Sequence, residues 1–217
     1  MARKHVVITG TGRAGTSFLI QLLTNLGLET GFTADNMHLD ENSRAGLERD
    51  LRKDGAPYIV KTPGFCEWGA EVRNRDDIVI EHIFIPMRDL YEAAQSRRCV
   101  LDSAVSKLPW AHWLWSKIKP PGVPGGLWLT KNKRKQEEML LQQLYKLFLI
   151  LAGTHIPVTL LEYPRLAKDS AYLFQKLQPI LGGNTSQEFS LAFDRTVRPE
   201  WIHHYLGQRP QSDFIPT

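Results

Sequence analysis

The stretch that most constrains this chain lies at residues 5–20, where an apolar run, a glycine-rich turn and an amphipathic segment follow one another. Residues 6–8 are apolar and β-branched, which favours a buried strand. Apolar residues recur at helical spacing after Thr16, and Gly27 is placed to end that helix. Such a turn directs backbone N–H groups and the positive end of a helix dipole at one spot. The segment therefore predicts a site for phosphate or another tetrahedral oxyanion.

The glycine loop (residues 10–15) departs from an ATP-binding loop at one position. Gly10 and Gly15 have the spacing of a Walker A motif, but Thr16 stands where that motif has lysine. Arg13 is the only cation in the loop. Without the lysine that reaches the β- and γ-phosphates, the pattern favours an anionic ligand other than ATP or GTP. A strand-to-helix turn that binds nothing is the alternative.

Composition narrows the class of protein. The chain has 217 residues, which is enough for one α/β domain with a complete core. The net charge of +4 suits an anionic ligand, but the scattered basic residues predict no nucleic-acid partner. Cys66 and Cys99 have neither metal nor redox spacing. We expect a cytoplasmic protein without a stable membrane anchor, because the first strand begins too early for a signal peptide and no apolar run is long enough to span a bilayer.

Short apolar runs alternate with helical segments along the chain. After the first strand, the predicted strands lie at residues 58–60, 78–85 and 157–163. This alternation predicts a single-domain, three-layer α/β fold with a central, mostly parallel sheet flanked by helices. Short helices are expected near residues 45–53 and 200–206. Residues 184–217 show little periodicity and are predicted to be a tail packed on the domain.

One lysine follows the second predicted strand. Ligands of open parallel sheets bind at the carboxyl ends of the strands, so Lys61 is expected on the same rim as the glycine loop. A surface lysine at a turn is the alternative.

A second set of polar residues follows the third predicted strand. Asp89 is placed to cap the next helix. Arg88 and Ser96 would lie near each other if that helix packs back along the sheet, and a guanidinium with a hydroxyl suits phosphate binding. Arg97 and Arg98 are equally compatible with ordinary surface charges on that helix.

Residues 107–130 differ from the rest, because they hold four of the six tryptophans among prolines and glycines. An aromatic, irregular stretch beside an anion site suggests a lid or an acceptor pocket. We therefore predict that residues 105–131 form an acceptor-site lid or insertion, with Trp110 and Trp113 in contact with substrate. The alternative is that these tryptophans fill the core of the domain itself.

Taken together, three of these motifs resemble the sulfotransferases that use 3′-phosphoadenosine 5′-phosphosulfate (PAPS), most of all the compact bacterial type with a P-loop fold. Residues 10–17 are similar to the family's phosphosulfate loop. Residues 61–63 are similar to a segment that carries a lysine near the transferred group. Arg88 and Ser96 match the family's 3′-phosphate motif, although Leu90 stands where proline is usual. The residues so implied in binding PAPS are Gly12, Arg13, Ala14, Gly15, Thr16, Ser17, Arg88 and Ser96.

The resemblance implies in-line transfer of a sulfuryl group from PAPS to a hydroxyl or amine. The acceptor would be a small molecule, a carbohydrate or a lipid-like compound, the nucleotide product would be 3′-phosphoadenosine 5′-phosphate (PAP), and no metal would be required. Lys61 would stabilise developing charge. Carbohydrate-type members of the family keep their general base in the loop after the first helix, where Asp35 is the first candidate, followed by His38 and Glu48. A P-loop nucleotide kinase or NTPase, and a non-catalytic nucleotide-binding protein of the same fold, are the alternatives.

Overall fold

The computed structural model describes residues 2–107 and 122–208. Its four strands are β1 (Arg3–Ile8), β2 (Ile59–Lys61), β3 (Ile78–Met87) and β4 (Val158–Glu162). The α-helices in the described ranges are α1 (Thr16–Asn25), α2 (Phe65–Arg73), α3 (Leu90–Ser106), α4 (Gln136–Ala152), α5 (Ser170–Leu177) and α6 (Ser186–Thr196). Short 3₁₀ helices are present at Lys133–Lys135, Arg165–Ala167, Gln178–Ile180, Pro199–Trp201 and Leu206–Gln208.

The strands form one sheet in the order β2-β1-β3-β4, and every neighbouring pair is parallel. Val7 of β1 pairs with Val60 of β2 on one side and with Ile83 of β3 on the other. Because all strands run the same way, their carboxyl ends meet at a single edge. The predicted α/β fold with a parallel central sheet is confirmed.

Each face of the sheet carries its own layer of helices. Val6, Ile8 and Phe84 point to the face covered by α1, α5 and α6, where they join one buried apolar cluster. Val7 and Ile83 point to the opposite face, which α2 and α4 cover. This alternation follows from the period-two geometry of a strand, and apolar residues on both faces are what a sheet buried between two layers requires. None of the helices in the described ranges has the length and hydropathy needed to cross a membrane.

Two predicted helix boundaries are confirmed. The Asp89 carboxylate accepts a hydrogen bond from the Glu92 N–H at 3.0 Å and caps α3. Gly27 follows the last turn of α1 with φ 77°, a left-handed conformation that glycine adopts at little cost.

Two sequence-based predictions of helices were wrong. Residues 45–53 form loop and turns rather than a short helix. The region after residue 184 contains α6, which was not predicted from the sequence. Near residues 200–206, where a helix was expected, the described residues form only single 3₁₀ turns. Thr185 and Glu188 form a reciprocal capping box at the start of α6. Phe189 packs its ring edge-on against Phe174 with 5.3 Å between centroids, so α6 belongs to the core.

Candidate anion-binding site

The glycine loop joins β1 to α1 through left-handed backbone. Gly12, Arg13 and Gly15 have φ angles of 67°, 57° and 85°. A Cβ atom at Gly15 would lie 2.9 Å from the Leu166 Cδ1 atom, so this position requires glycine for both conformation and space. The first turn of α1 has no acidic residue, and no side chain of the described residues caps it. Its N–H groups and the positive end of its dipole are therefore open to an anion.

A cavity of about 660 Å³ opens above this loop at the carboxyl edge of the sheet, and its volume is in the range of sites for small ligands. Basic side chains outnumber acidic ones in its described lining. The basic residues are Arg13, Arg44, Lys61, Arg88, Arg97 and Arg198, and the acidic residues are Glu41, Glu48 and Glu200. This imbalance favours an anionic ligand.

Arg13 connects the glycine loop to α3. Its Nε atom donates a hydrogen bond to the Ser96 hydroxyl at 3.1 Å, and its Nη1 atom donates to the Ser43 carbonyl. The Arg88 Nη1 atom in turn donates to the Arg13 carbonyl at 2.9 Å. The loop residue Arg13 and the two residues predicted to bind a 3′-phosphate, Arg88 and Ser96, are thus in direct contact.

Lys61 ends β2 on the same rim, and it is buried, with 3% of its surface exposed. Its Nζ atom donates to the Ser17 hydroxyl at 2.9 Å, contacts the Glu48 carboxylate at 2.9 Å and donates to the Gly46 carbonyl. Burial lowers the pKa of the Lys61 ammonium, and the nearby Glu48 carboxylate opposes that shift. The structure therefore brings Lys61 to the first turn of α1, directly after the glycine loop, and excludes the surface-lysine alternative.

Arg88 is already engaged by protein groups. Its Nε atom pairs with the Glu92 carboxylate at 3.2 Å, and the two side chains are 3% and 4% exposed. Its Nη2 atom donates to the His203 carbonyl, and its guanidinium lies 4.7 Å from the ring centroid of Tyr163. The Tyr205 N–H donates to Glu92 at 3.0 Å, so residues 203–205 cover this ion pair. Arg88 can receive a phosphate only by exchanging some of these contacts.

The structure distinguishes the candidate general bases by their position relative to the cavity. Asp35 and His38 are exposed and are absent from the described lining of the cavity, so the structure does not bring them to the glycine loop. Glu48 lines the cavity and is paired with Lys61. His203 also lines it, and burial together with the charges of Arg13 and Arg88 lowers the pKa of its imidazole. Sequence reasoning missed His203, because no local pattern connects the segment after α6 to this edge of the sheet.

Arg97 is the second missed residue. The sequence is equally compatible with an ordinary surface charge at this position, but Arg97 is buried, with 6% of its surface exposed, and it lines the cavity. Its position directly after Ser96 was the available signal. Trp128 packs between α3 and α4, and its ring centroid lies 5.3 Å from the Arg97 guanidinium carbon. Trp128 is half-buried and also lines the cavity, so it fits both interpretations of this stretch, whereas Trp110 and Trp113 lie outside the described residues.

In comparisons with known proteins, no family model, no curated protein and no solved structure matches the chain. The part of the chain that the structure describes contains no group of three or more His, Cys, Asp or Glu side chains placed to hold a metal ion. A functional assignment for this chain therefore depends on the geometry and charge of the candidate site.

Proposed function

We propose that this chain is a sulfotransferase that moves a sulfuryl group from PAPS to a hydroxyl or amine of an acceptor molecule. The observation that carries the proposal is the contact between the Lys61 ammonium and the Ser17 hydroxyl, 2.9 Å apart. In nucleotide kinases with a similar loop, the corresponding hydroxyl binds the Mg²⁺ ion that bridges the phosphates. Here a cation built into the fold occupies that place.

A fixed ammonium suits sulfuryl transfer better than phosphoryl transfer. The sulfonate end of PAPS carries one negative charge, whereas the terminal phosphate of ATP carries two at neutral pH. Less charge therefore has to be neutralised. Lys61 supplies a positive charge, and the N–H groups at the start of α1 supply hydrogen-bond donors. The hydroxyls of Thr16 and Ser17 lie in the same cavity lining and add polar contacts.

The transfer itself needs a leaving group, a base and a stabilising charge. The acceptor oxygen or nitrogen attacks sulfur, the bond from sulfur to the bridging oxygen breaks, and that oxygen keeps the electron pair as PAP forms. Lys61 would stabilise the charge that develops there. Among the bases predicted from the sequence, Glu48 is the one that lines the cavity, and it would take the acceptor's proton. The acceptor, a small molecule, glycan or lipid-like compound, would occupy the remaining part of the cavity.

The 3′-phosphate distinguishes PAP from an ordinary adenine nucleotide, and it supplies the first test. We assign it to Ser96 and Arg88, with residues 203–205 releasing Arg88 when the nucleotide binds. Calorimetry should show tighter binding of PAP than of adenosine 5′-phosphate. Changing Ser96→Ala together with Arg88→Lys should weaken PAP binding by about tenfold or more, roughly 1.4 kcal/mol, with a smaller effect on adenosine 5′-phosphate.

Ser103 provides a matched control, because it lies on the same helix and lines the same cavity. Ser103→Ala should leave the preference for PAP unchanged. Equal losses for both nucleotides in the Ser96/Arg88 variant would mean that the 3′-phosphate site is misassigned. Binding of ATP with Mg²⁺ in place of PAP would favour a kinase, and PAP binding without consumption of PAPS in extracts of the host would favour a non-catalytic protein.

A further inference from the structure

Arg97 makes an unusual set of contacts for a buried arginine. Its Nη2 atom donates to the Thr11 carbonyl at 2.6 Å and its Nη1 atom donates to the Gly126 carbonyl at 2.8 Å. Its Nε atom has no hydrogen-bond partner within the described residues. A buried donor without a partner costs free energy, and native structures usually satisfy such groups.

The charge of Arg97 also lacks a carboxylate partner among the described residues. Three other buried or half-buried cations at this edge have a carboxylate partner, in the pairs Lys61–Glu48, Arg88–Glu92 and Arg98–Glu137. Arg97 forms no ion pair with any described residue. Burial, and after it the charge of Arg13, lowers the pKa of the Arg97 guanidinium. A buried cation without a counter-charge is strongly unfavourable unless a ligand supplies the negative charge.

The glycine loop is shaped around this guanidinium. A Cβ atom at Gly12 would lie 2.7 Å from the Arg97 Nη2 atom, so glycine at this position lets the guanidinium approach the loop backbone. The Arg97 guanidinium also lies over the ring of Trp128. Arg97 and Thr16 line the same cavity. The free donor and the unpaired charge are thus placed beside the loop that is open to an anion.

We propose that Arg97 is an anion-binding residue of this site, and that the anion held by the glycine loop balances its buried charge. The inference rests on the proposed function only in that both require an anion at the loop. The site then contains two guanidinium groups, those of Arg13 and Arg97. Arg13 also has no carboxylate partner among the described residues. Two guanidinium groups behind one loop suit a ligand with more than one negative charge, such as a nucleotide phosphosulfate or diphosphate.

The test uses two neutral variants, Arg97→Met and Arg97→Gln, the charged variant Arg97→Lys, and the control Arg98→Met. Arg98 is the next residue on α3 and pairs with Glu137 at 2.7 Å, away from the loop. Thermal unfolding is followed in sodium sulfate and in sodium chloride of equal ionic strength, and PAP binding is measured by calorimetry. The increase in Tm caused by sulfate reports anion binding separately from the stability of the free protein.

For the wild-type protein and Arg98→Met we expect the same sulfate-dependent increase in Tm. Both neutral Arg97 variants should lose more than half of it, and their Kd for PAP should rise by about tenfold or more, with Arg97→Lys intermediate. A purely structural role would lower the Tm of the free protein and leave the sulfate increment intact. That result overturns the inference. Two further outcomes also overturn it. In the first, both neutral variants fail to fold while Arg97→Lys binds PAP as tightly as the wild type does; in the second, none of the three Arg97 variants folds.

The outcomes also separate this inference from the sulfotransferase proposal. If the wild-type protein binds sulfate through Arg97 but does not bind PAP, the sulfotransferase proposal fails and the role of Arg97 stands. If the neutral Arg97 variants bind PAP as tightly as the wild type does, the inference fails and the sulfotransferase proposal stands. A wild-type protein that binds neither sulfate nor PAP overturns both.

Discussion

The Nε atom of Arg13 donates a hydrogen bond to the hydroxyl of Ser96 at 3.1 Å, although the two residues are 83 positions apart in the sequence. They meet because β1 and β3 are neighbours in a parallel sheet and end at the same edge. The loop after β1 and the helix after β3 therefore emerge side by side. This is the arrangement in which open α/β sheets bind ligands, at the carboxyl ends of adjacent strands.

Replacing Lys61 by methionine should remove the charge that the proposed sulfuryl transfer requires while keeping the length of the side chain. We expect Lys61→Met to reduce the turnover of PAPS by about 100-fold to 1,000-fold, with a smaller change in the Kd for PAP. The measurement is release of labelled sulfate, or its transfer to the acceptor, under single-turnover conditions. Lys53→Met at an exposed position is the control and should behave like the wild type. Normal turnover by Lys61→Met would remove Lys61 from the mechanism.

The two glycines that flank α1 offer a matched pair of substitutions. Both have positive φ, 85° at Gly15 and 77° at Gly27, so alanine at either position should cost about 1–2 kcal/mol of stability. At Gly15 the new Cβ would also press against Leu166, whereas at Gly27 nothing lies within 4 Å. We therefore expect Gly15→Ala to weaken the binding of sulfate and PAP as well, and Gly27→Ala to affect stability alone. Unchanged PAP binding in Gly15→Ala would argue against an anion at the loop.

The buried histidine of β1 predicts acid sensitivity. The His5 Nδ1 atom contacts the Pro57 carbonyl at 2.8 Å, and its Nε2 atom has no partner among the described residues. Burial lowers the pKa of His5 below 6.5, so the unfolded chain binds the proton more readily than the folded one does. The free energy of unfolding should therefore fall as the pH drops below about 6.5, by at most about 1.4 kcal/mol per pH unit.

Urea unfolding of His5→Leu between pH 7 and pH 5 tests this prediction. The variant should lose part of the pH dependence, and His82 and His203, whose pKa values burial also lowers, should contribute to the remainder. His155→Leu, at an exposed position, should keep the wild-type dependence. Identical pH profiles for His5→Leu and the wild type would show that His5 does not contribute.

The capping box of α6 tests whether this helix belongs to the core. The Thr185 hydroxyl accepts a hydrogen bond from the Glu188 N–H at 3.2 Å, so Thr185→Ala should cost about 1 kcal/mol in urea unfolding. Phe189 is 1% exposed, and Phe189→Ala should cost about 3–5 kcal/mol because it leaves a cavity against Phe174. Gln187→Ala, on the exposed side, should stay within about 0.5 kcal/mol of the wild type. A Phe189→Ala variant as stable as the wild type would place α6 outside the cooperative core.

Much of the fold followed from local patterns. The β-branched run at residues 6–8, the glycine loop and the apolar spacing after Thr16 each specify their conformation through near neighbours, so their elements could be predicted. The capping residues Thr185 and Glu188 carried the same kind of signal for α6. That helix was missed because its apolar face is short and lies within a polar stretch.

By itself, the sequence determined the order of the four strands and the glycine-rich turn between β1 and α1, because turn chemistry and hydrophobic period depend on adjacent residues. Only the tertiary structure decided which acidic side chains at the carboxyl edge of the sheet pair with which basic side chains. Glu48 pairs with Lys61 and Glu92 pairs with Arg88, whereas Arg97 has no carboxylate partner within residues 2–107 and 122–208, although it resembles Arg98 beside it. Whether two charged side chains compensate each other depends on the distance between them and on how deeply each is buried. When the two residues are far apart in the chain, local sequence does not encode that distance.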